Sequence, residues 1–168
     1  MKVETHIVRV FVASPADTAE ERRIISEVIS DINRLHGRPE HFRLDLLVWE
    51  EDSYPDIGAD AQDVINRQIG DYDIFLGLLS TKLGSPTSRA NSGTEEEFGR
   101  AFEKHLENPA SVKILFYFRN PTVKLLDLDL YQALQVQRFR DRISKLGVRY
   151  SVYDGVEDFR RRVTGDLL

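Results

Sequence analysis

The side chains best suited to chemistry lie in one short stretch, Ser92-Gly93-Thr94-Glu95-Glu96-Glu97. A carboxylate held beside a ligand can bind its hydroxyls or stabilise developing positive charge. The same stretch also fits a capping box, with Thr94 as the N-cap of a helix and Glu97 three residues later. Local pattern alone favours this purely structural interpretation, because caps of this kind are common.

Helical periodicity separates the three glutamates of this stretch. The apolar face of the predicted helix consists of Phe98, Ala101, Phe102 and Leu106. At about 100° per residue, this face predicts that Glu96 points outward to solvent. Glu95 and Glu97 fall on opposite flanks of the face, and the periodicity does not choose between them.

A second candidate is the start of the first predicted helix, Ser14-Pro15-Ala16-Asp17. Backbone N–H groups at a helix start can hold a phosphate, although Asp17 as a plain helix cap is the simpler interpretation. Neither GxGxxG nor GxxxxGK[ST] occurs in the sequence, which excludes the ordinary dinucleotide fingerprint and the P-loop.

Trp49 and the acidic residues after it form a third candidate. A lone tryptophan at a strand end is usually a packing anchor, and stacking on a base or ribose is the functional alternative. Glu50, Glu51 and Asp52 lack a neighbouring histidine, so a solvated loop is favoured over a metal site, with a Mg²⁺-binding cluster as the alternative. We therefore predict no metal.

Two familiar kinds of site are disfavoured. The four histidines lack ligand spacing and an obvious Ser or Asp partner, which argues against Ser-His-Asp catalysis. They are His6, His36, His41 and His105. The third predicted strand ends in leucine and serine without an acceptor aspartate, so a phospho-accepting receiver domain is disfavoured too.

The elements that must position these residues alternate between strand and helix. Apolar runs predict strands at 6–13, 43–49, 73–79, 113–118 and 148–153. Helical spacing predicts helices at 18–35, 61–69, 94–107 and 129–146, and one from Val156 onward. Gly37-Arg38-Pro39 is expected to end the first helix. The alternation predicts a flavodoxin-like α/β three-layer sandwich with a five-stranded parallel sheet in the order 2-1-3-4-5.

The predicted topology brings two of the candidates together. Ligands of such sheets sit beyond the carboxyl ends of the strands, where the strand order reverses. Ser14–Asp17 and Ser80–Glu97 follow the two strands that flank this point, so we expect them to be neighbours. The loop from Ser80 to Gly93 is longer than most connections, which is typical of functional loops.

Length and composition predict one domain over residues 1–168. A formal net charge of −5 argues against a nucleic-acid-binding surface, which is usually basic. The chain has no cysteine and no apolar run of about 20 residues, so we expect a cytoplasmic protein without a membrane span. The last helix reaches Leu168 without a stop signal, and we expect a domain excised from a longer protein.

Two segments resemble a known family when taken together, VFVASPADTAEERRII (10–25) and SGTEEEFGRAF (92–102). With WEEDSYP and DYDIFLGLLSTKLGSPT between them, they are similar to a TIR-like domain of unknown function. Such domains are found at the N-terminus of multidomain NTPase or repeat proteins involved in sensing and immunity. The resemblance covers nearly the whole chain and implies the flavodoxin-like fold.

The resemblance also implies a reaction. Enzymatic TIR domains cleave NAD⁺ between ribose and nicotinamide, using a glutamate on the helix after the third strand. Nucleoside 2-deoxyribosyltransferases carry a similar G-T-x-x-E turn, and alignment on Gly93-Thr94 makes Glu97 the catalytic residue. Ser14 and the Ser80–Gly84 loop would contact phosphates or ribose. NAD⁺ would then be a substrate, and no cofactor is expected.

Three functions follow from the resemblance. The first is an NAD⁺ glycosidase activated by self-association through a sensor or NTPase domain fused downstream. The second is a non-catalytic module that assembles with other TIR-like domains, and an apolar, uncharged face would favour it. The third is nucleoside deoxyribosyl transfer at the same site. A pocket with Glu97 recessed and with Ser14 and Ser80 facing it would favour an enzyme.

Overall fold

A computed structural model describes residues 4–47, 62, 65–66 and 69–168. Its strands are β1 (His6–Ala13), β2 (Phe42–Leu47), β3 (Ile74–Leu79), β4 (Lys113–Arg119) and β5 (Ser151–Tyr153). All neighbours pair in parallel, in the order β2-β1-β3-β4-β5. The predicted five-stranded parallel α/β sandwich and its strand order are confirmed.

In the described part of the chain, helices of twelve residues or more are α1 (Ala19–Ile32), α2 (Gly93–Glu107), α3 (Leu130–Lys145) and α4 (Val156–Leu167). The side chains of α1 and α4 pack in one apolar cluster, and those of α2 and α3 pack in another. β3 contributes to both clusters and is buried along its whole length, as its unbroken apolar run predicts. In the described residues, no helix has the length and apolar character needed to cross a membrane.

The predicted end of the first helix is wrong. Beyond α1 the chain continues through a π-helical turn, Asn33–Gly37, and a further helical turn, Arg38–Glu40. Pro39 lies in the first turn of the Arg38–Glu40 helix. The missing N–H group of proline costs little stability there, because first-turn N–H groups have no partner within the helix. The chain leaves the helix at His41, whose φ is 55°.

Two strand boundaries differ from those predicted. β5 was expected from Val148 but begins at Ser151, because the Val148 N–H group donates to Ile143 O at 3.0 Å and closes α3 instead. The second strand was expected to reach Trp49. The described strand ends at Leu47, and Trp49 lies outside the described residues. Of the predicted helix 61–69, the structure describes Gln62, Ile65 and Asn66 as helical.

Candidate functional site

The start of α2 is capped by Ser92. Its Oγ accepts the backbone N–H of Glu95 at 3.1 Å, and the hydroxyl is buried. The prediction that Thr94 is the N-cap is therefore wrong, since Ser92 already satisfies the third residue of the helix. Thr94 lies inside the first turn, and Glu97 is freed from the capping role that local pattern assigned to it.

Glu96 is buried, which contradicts the prediction that it points to solvent. The loop after β3 folds over it, and Thr87 Oγ1 and Arg89 Nε each donate to Glu96 Oε1 at 2.8 Å. Asn66, which precedes β3, donates to Oε2. Burial alone would raise the pKa of Glu96, but these hydrogen bonds outweigh it and lower the pKa. The ionised side chain fastens the loop to α2.

Glu95 faces a different neighbour. Its Oε1 pairs with Arg142 Nη2 of α3 at 2.6 Å, with half of the arginine side chain exposed. This contact ties α2 to α3, and Glu95 does not line the cleft described next. The structure thus gives the three consecutive glutamates three separate surroundings.

Glu97 lies in a cleft at the carboxyl edge of the sheet and is only 8% exposed. Gln62 Nε2 donates to its Oε1 at 2.7 Å. Burial raises the pKa of Glu97 to about 7, the hydrogen bond from Gln62 opposes this, and the neighbouring Glu96 charge adds to the rise. Near neutral pH the carboxyl group can therefore exist in either protonation state.

The cleft has a volume of about 760 Å³, within the usual range of small-molecule sites. The turn after β1, the loop after β3 and the first turns of α2 and α3 all contribute to its walls. Five of the residues predicted from sequence line it: Ser14, Gly84, Gly93, Thr94 and Glu97. Residues far apart in the sequence are thus brought to one site.

Ser14 provides an unsatisfied group in this cleft. Its Oγ is buried and has no hydrogen-bond partner among the described residues. Buried polar atoms are normally paired, so an unpaired hydroxyl in a cleft is available to a ligand. Lys82 lines the same cleft from an exposed position and adds a positive charge.

Asp17 does not act as the helix cap that local pattern favours, and its nucleotide-binding role stays a prediction. Its Oδ2 accepts from the backbone N of Thr81 at 3.2 Å and from Thr81 Oγ1 at 3.3 Å. Pro15 O accepts from the Thr18 backbone and hydroxyl, which closes a short 3₁₀ turn. Asp17 thus joins the turn after β1 to the loop after β3, and neither Asp17 nor Ser80 is among the residues lining the cleft.

Two glutamines that sequence reasoning missed hold the cleft together. Gln132 Oε1 accepts the backbone N–H groups of Leu83 at 2.9 Å and Gly84 at 3.2 Å. Gln62 packs so closely on α2 that a Cβ at Gly93 would lie 2.4 Å from Gln62 Oε1. Local sequence carries no sign of either contact, because each joins residues more than thirty positions apart.

A third buried carboxylate among the described residues, Glu21, belongs to α1. Glu21 Oε1 accepts from Arg119 Nη1 at 3.1 Å and from Tyr153 OH at 3.0 Å, which ties α1 to the ends of β4 and β5. Glu21 is fully buried and does not line the cleft. The described residues contain no cluster of three or more His, Cys, Asp or Glu side chains suited to a metal ion.

Comparison with protein families matches residues 9–168 to a domain of unknown function, DUF4062. The chain belongs to this DUF4062 family. No curated protein matches the chain. Among solved structures, apo translation elongation factor SelB from Methanococcus maripaludis is similar over 98% of this chain and 34% of that chain, with 14% identity and a TM-score of 0.47. This DUF4062 domain thus spans about a third of the length of that factor.

Proposed function

We propose that this DUF4062 domain is a TIR-like N-glycosidase that cleaves the bond between ribose and nicotinamide in NAD⁺ or a related nucleotide. The observation that carries the proposal is the Glu97 carboxyl group, recessed in a cleft of about 760 Å³ with a pKa of about 7. A strongly perturbed carboxyl group in a cleft is a mark of functional sites. Glu97 also ends the turn that resembles the G-T-x-x-E turn of nucleoside 2-deoxyribosyltransferases, on the helix after the third strand that carries the glutamate of TIR enzymes.

One carboxylate is sufficient for this reaction. Nicotinamide leaves as a neutral molecule from a cationic pyridinium, so no general acid has to protonate it. The ribose carbon that loses it develops positive charge, as in glycoside hydrolysis. In hydrolysis, water forms the new bond to that carbon and releases a proton. An ionised Glu97 beside the ribose would stabilise this charge, and burial strengthens the effect because screening by water is reduced.

The other cleft residues suit the remainder of such a substrate. The unpaired Ser14 hydroxyl can donate to a ribose or phosphate oxygen, and Lys82 can pair with a phosphate charge. Gly84 has a φ of 107°, a conformation that favours glycine, and lets the backbone approach a ligand closely. Gln62 fixes the Glu97 carboxyl group.

The test is to incubate the assembled protein with NAD⁺ and to measure the released nicotinamide by chromatography. We expect release to fall by roughly 10²–10³-fold in Glu97→Gln, the size of effect seen when an electrostatic catalytic group is lost. Glu95→Gln is the matched control and should retain activity, because Glu95 pairs with Arg142 outside the cleft. Release that is unaffected by Glu97→Gln would exclude the site, and no release by an oligomer would exclude the reaction.

A second candidate function is a non-catalytic module that assembles with copies of itself. One observation favours it: six large apolar residues are exposed in a segment whose Asp129 and Gln132 line the cleft. They are Val123, Leu125, Leu126, Leu130, Tyr131 and Leu134. An assembly that forms without any turnover of NAD⁺ or of a deoxyribonucleoside would support this second function.

A further inference from the structure

A network of hydrogen bonds joins the loop after β3 to the Glu97 carboxyl group. Arg89 Nε donates to Glu96 Oε1 at 2.8 Å, and Asn66 Nδ2 donates to Glu96 Oε2. Gln62 Nε2 donates to Asn66 Oδ1 at 3.1 Å and to Glu97 Oε1 at 2.7 Å. These side chains are here named the Arg89–Glu97 network. The network connects a charged residue of the loop to the carboxyl group in the cleft.

The two amide side chains of the network have fixed orientations. The Gln62 amide nitrogen carries two N–H groups, and it donates to both Asn66 and Glu97. The Asn66 amide accepts at its oxygen and donates from its nitrogen, so turning it over would lose both hydrogen bonds. A Cβ at Gly93 would lie 2.4 Å from Gln62 Oε1, so the glycine leaves the room that this amide occupies. Since Asn66 is itself bound to Glu96, the position of the Gln62 amide depends on the groups that hold Glu96.

Arg89 also places a positive charge beside Glu96. In this ion pair the glutamate side chain is only 6% exposed and the arginine side chain 38%. Burial raises the pKa of Glu97 most, the hydrogen bond from Gln62 lowers it, and the Glu96 charge adds to the rise. Because Glu96 is buried as well, water screens its charge only weakly, and a cation held on its Oε1 atom opposes the effect. Arg89 is thus placed to act on both the orientation and the ionisation of the Glu97 carboxyl group.

We propose that Arg89 is a positioning residue for Glu97, which acts through the Arg89–Glu97 network to orient the carboxyl group and to offset the negative charge beside it. Arg89 is not among the described residues that line the cleft, so it acts on a ligand through Glu97 and not by contact. Thr87 of the same loop donates to Glu96 Oε1 at 2.8 Å and does line the cleft, so the loop that holds Glu96 is within reach of a ligand. The gain for catalysis rests on the proposed function, in which the ionised Glu97 is the active form.

Other charged or titratable side chains surround Glu97. Burial and the Glu97 charge raise the pKa of Tyr72 to about 12, so this phenol stays protonated at neutral pH. Charged side chains also line the two cavities that Glu97 lines. In the described residues they are Asp71, Lys82, Arg100, Glu103, Lys104, Glu107 and Asp129. The variants below alter none of these groups, so differences from the wild type do not arise from them.

NMR titration of the Glu97 side-chain carboxyl carbon, from about pH 4 to about pH 9, tests the network without any substrate. Arg89→Ala should raise the pKa of Glu97 above the wild-type value of about 7. The variant leaves the Glu96 charge without its cation and loosens the Gln62 hydrogen bond, which lowers this pKa. An Arg89→Ala protein in which the pKa of Glu97 is unchanged or lower overturns the proposal.

Arg142→Ala is the matched control for the loss of a cation beside α2. Arg142 Nη2 pairs with Glu95 Oε1 at 2.6 Å, next to Glu96 in the sequence but outside the network. This variant should leave the pKa of Glu97 unchanged. A rise equal to that of Arg89→Ala would show that loss of either cation has the same effect, which would exclude a specific role for Arg89.

A double variant shows whether Arg89 acts through Glu96. Glu96→Gln should lower the pKa of Glu97, because it removes the neighbouring charge. Adding Arg89→Ala to Glu96→Gln should then have little effect on this pKa, because without the carboxylate the arginine is no longer held in place. A rise of the same size in both backgrounds would show that Arg89 acts independently of Glu96 and would exclude the network.

Nicotinamide release connects the network to the proposed reaction. A pKa raised by about 0.5 leaves about threefold less ionised Glu97 at about pH 6 and little less at about pH 9. For such a rise, Arg89→Ala should lose about threefold more activity at the lower pH than at the higher one. A loss of the same size at both pH values would exclude the effect on ionisation. A wild type that releases no nicotinamide would exclude the proposed reaction, and the titration would still decide the role of Arg89.

Discussion

Replacing Glu97 by glutamine should raise the free energy of unfolding at neutral and alkaline pH, and should leave it unchanged at acidic pH. The pKa of Glu97 rises from 4.5 to about 7 on folding. Between these values the folded protein retains a proton that the unfolded chain has lost, so stability present at pH 4.5 is lost as the pH rises through 7. About 2.5 pKa units at 1.36 kcal/mol each give a loss of about 3 kcal/mol. Glutamine carries no charge and therefore avoids this loss of stability. Its side-chain oxygen can still accept the hydrogen bond from Gln62.

Urea unfolding at pH 4.5 and pH 8 measures this effect. At pH 8 we expect the free energy of unfolding of Glu97→Gln to exceed that of the wild type by about 3 kcal/mol. This corresponds to a Tm higher by roughly 6–12 °C for a domain of this size. At pH 4.5 the two should be equal. Glu96→Gln is the matched control with the opposite sign, because partners lower the pKa of Glu96 and its ionised form is stabilising. A stability difference that does not change between the two pH values would refute the account of Glu97.

Four further predictions concern the fold and the site. Nicotinamide release by the wild type should rise as the pH increases through about 7 and then level off, because the ionised Glu97 is the active form; a rate that falls over this range would instead indicate a general acid. Ser92→Ala should cost about 1 kcal/mol in chemical unfolding and Thr94→Ala less, since Ser92 makes the cap bond. Gly77→Ala should cost about 1–3 kcal/mol, because its Cβ would lie 2.3 Å from the Phe116 ring; an unchanged urea midpoint would contradict that contact. Gln132→Ala should speed amide exchange at Leu83 and Gly84 and raise KM for NAD⁺ more than it lowers kcat; exchange rates equal to those of the wild type would show that the contact is not maintained in solution.

The sheet could be predicted from sequence because its determinants are local. β1 and β3 are nearly continuous apolar runs, and such runs occur in strands covered on both faces. Alternation with helices then leaves few allowed topologies, and the order 2-1-3-4-5 is one of them. The proximity of Ser14 and Glu97 at one cleft follows from this strand order, because β1 and β3 are neighbours in the sheet.

The surroundings of the glutamates could not be predicted in the same way. Helical periodicity describes one helix and its own apolar face, whereas Glu96 is covered by Thr87 and Arg89 from the preceding loop. Gln132 and Gln62 act across 48 and 35 positions of the sequence. Contacts of that range depend on the folded sheet and leave no periodic trace in the sequence.

In the proposed reaction, the Glu97 carboxyl group performs the chemistry of this cleft. The most direct measurement is the initial rate of nicotinamide release from NAD⁺ by the wild type and by Glu97→Gln, at pH 8 and at matched oligomeric state. We predict release by the wild type and a loss of roughly 10²–10³-fold in a variant that is folded and more stable. Equal rates in the two proteins would exclude this role for Glu97.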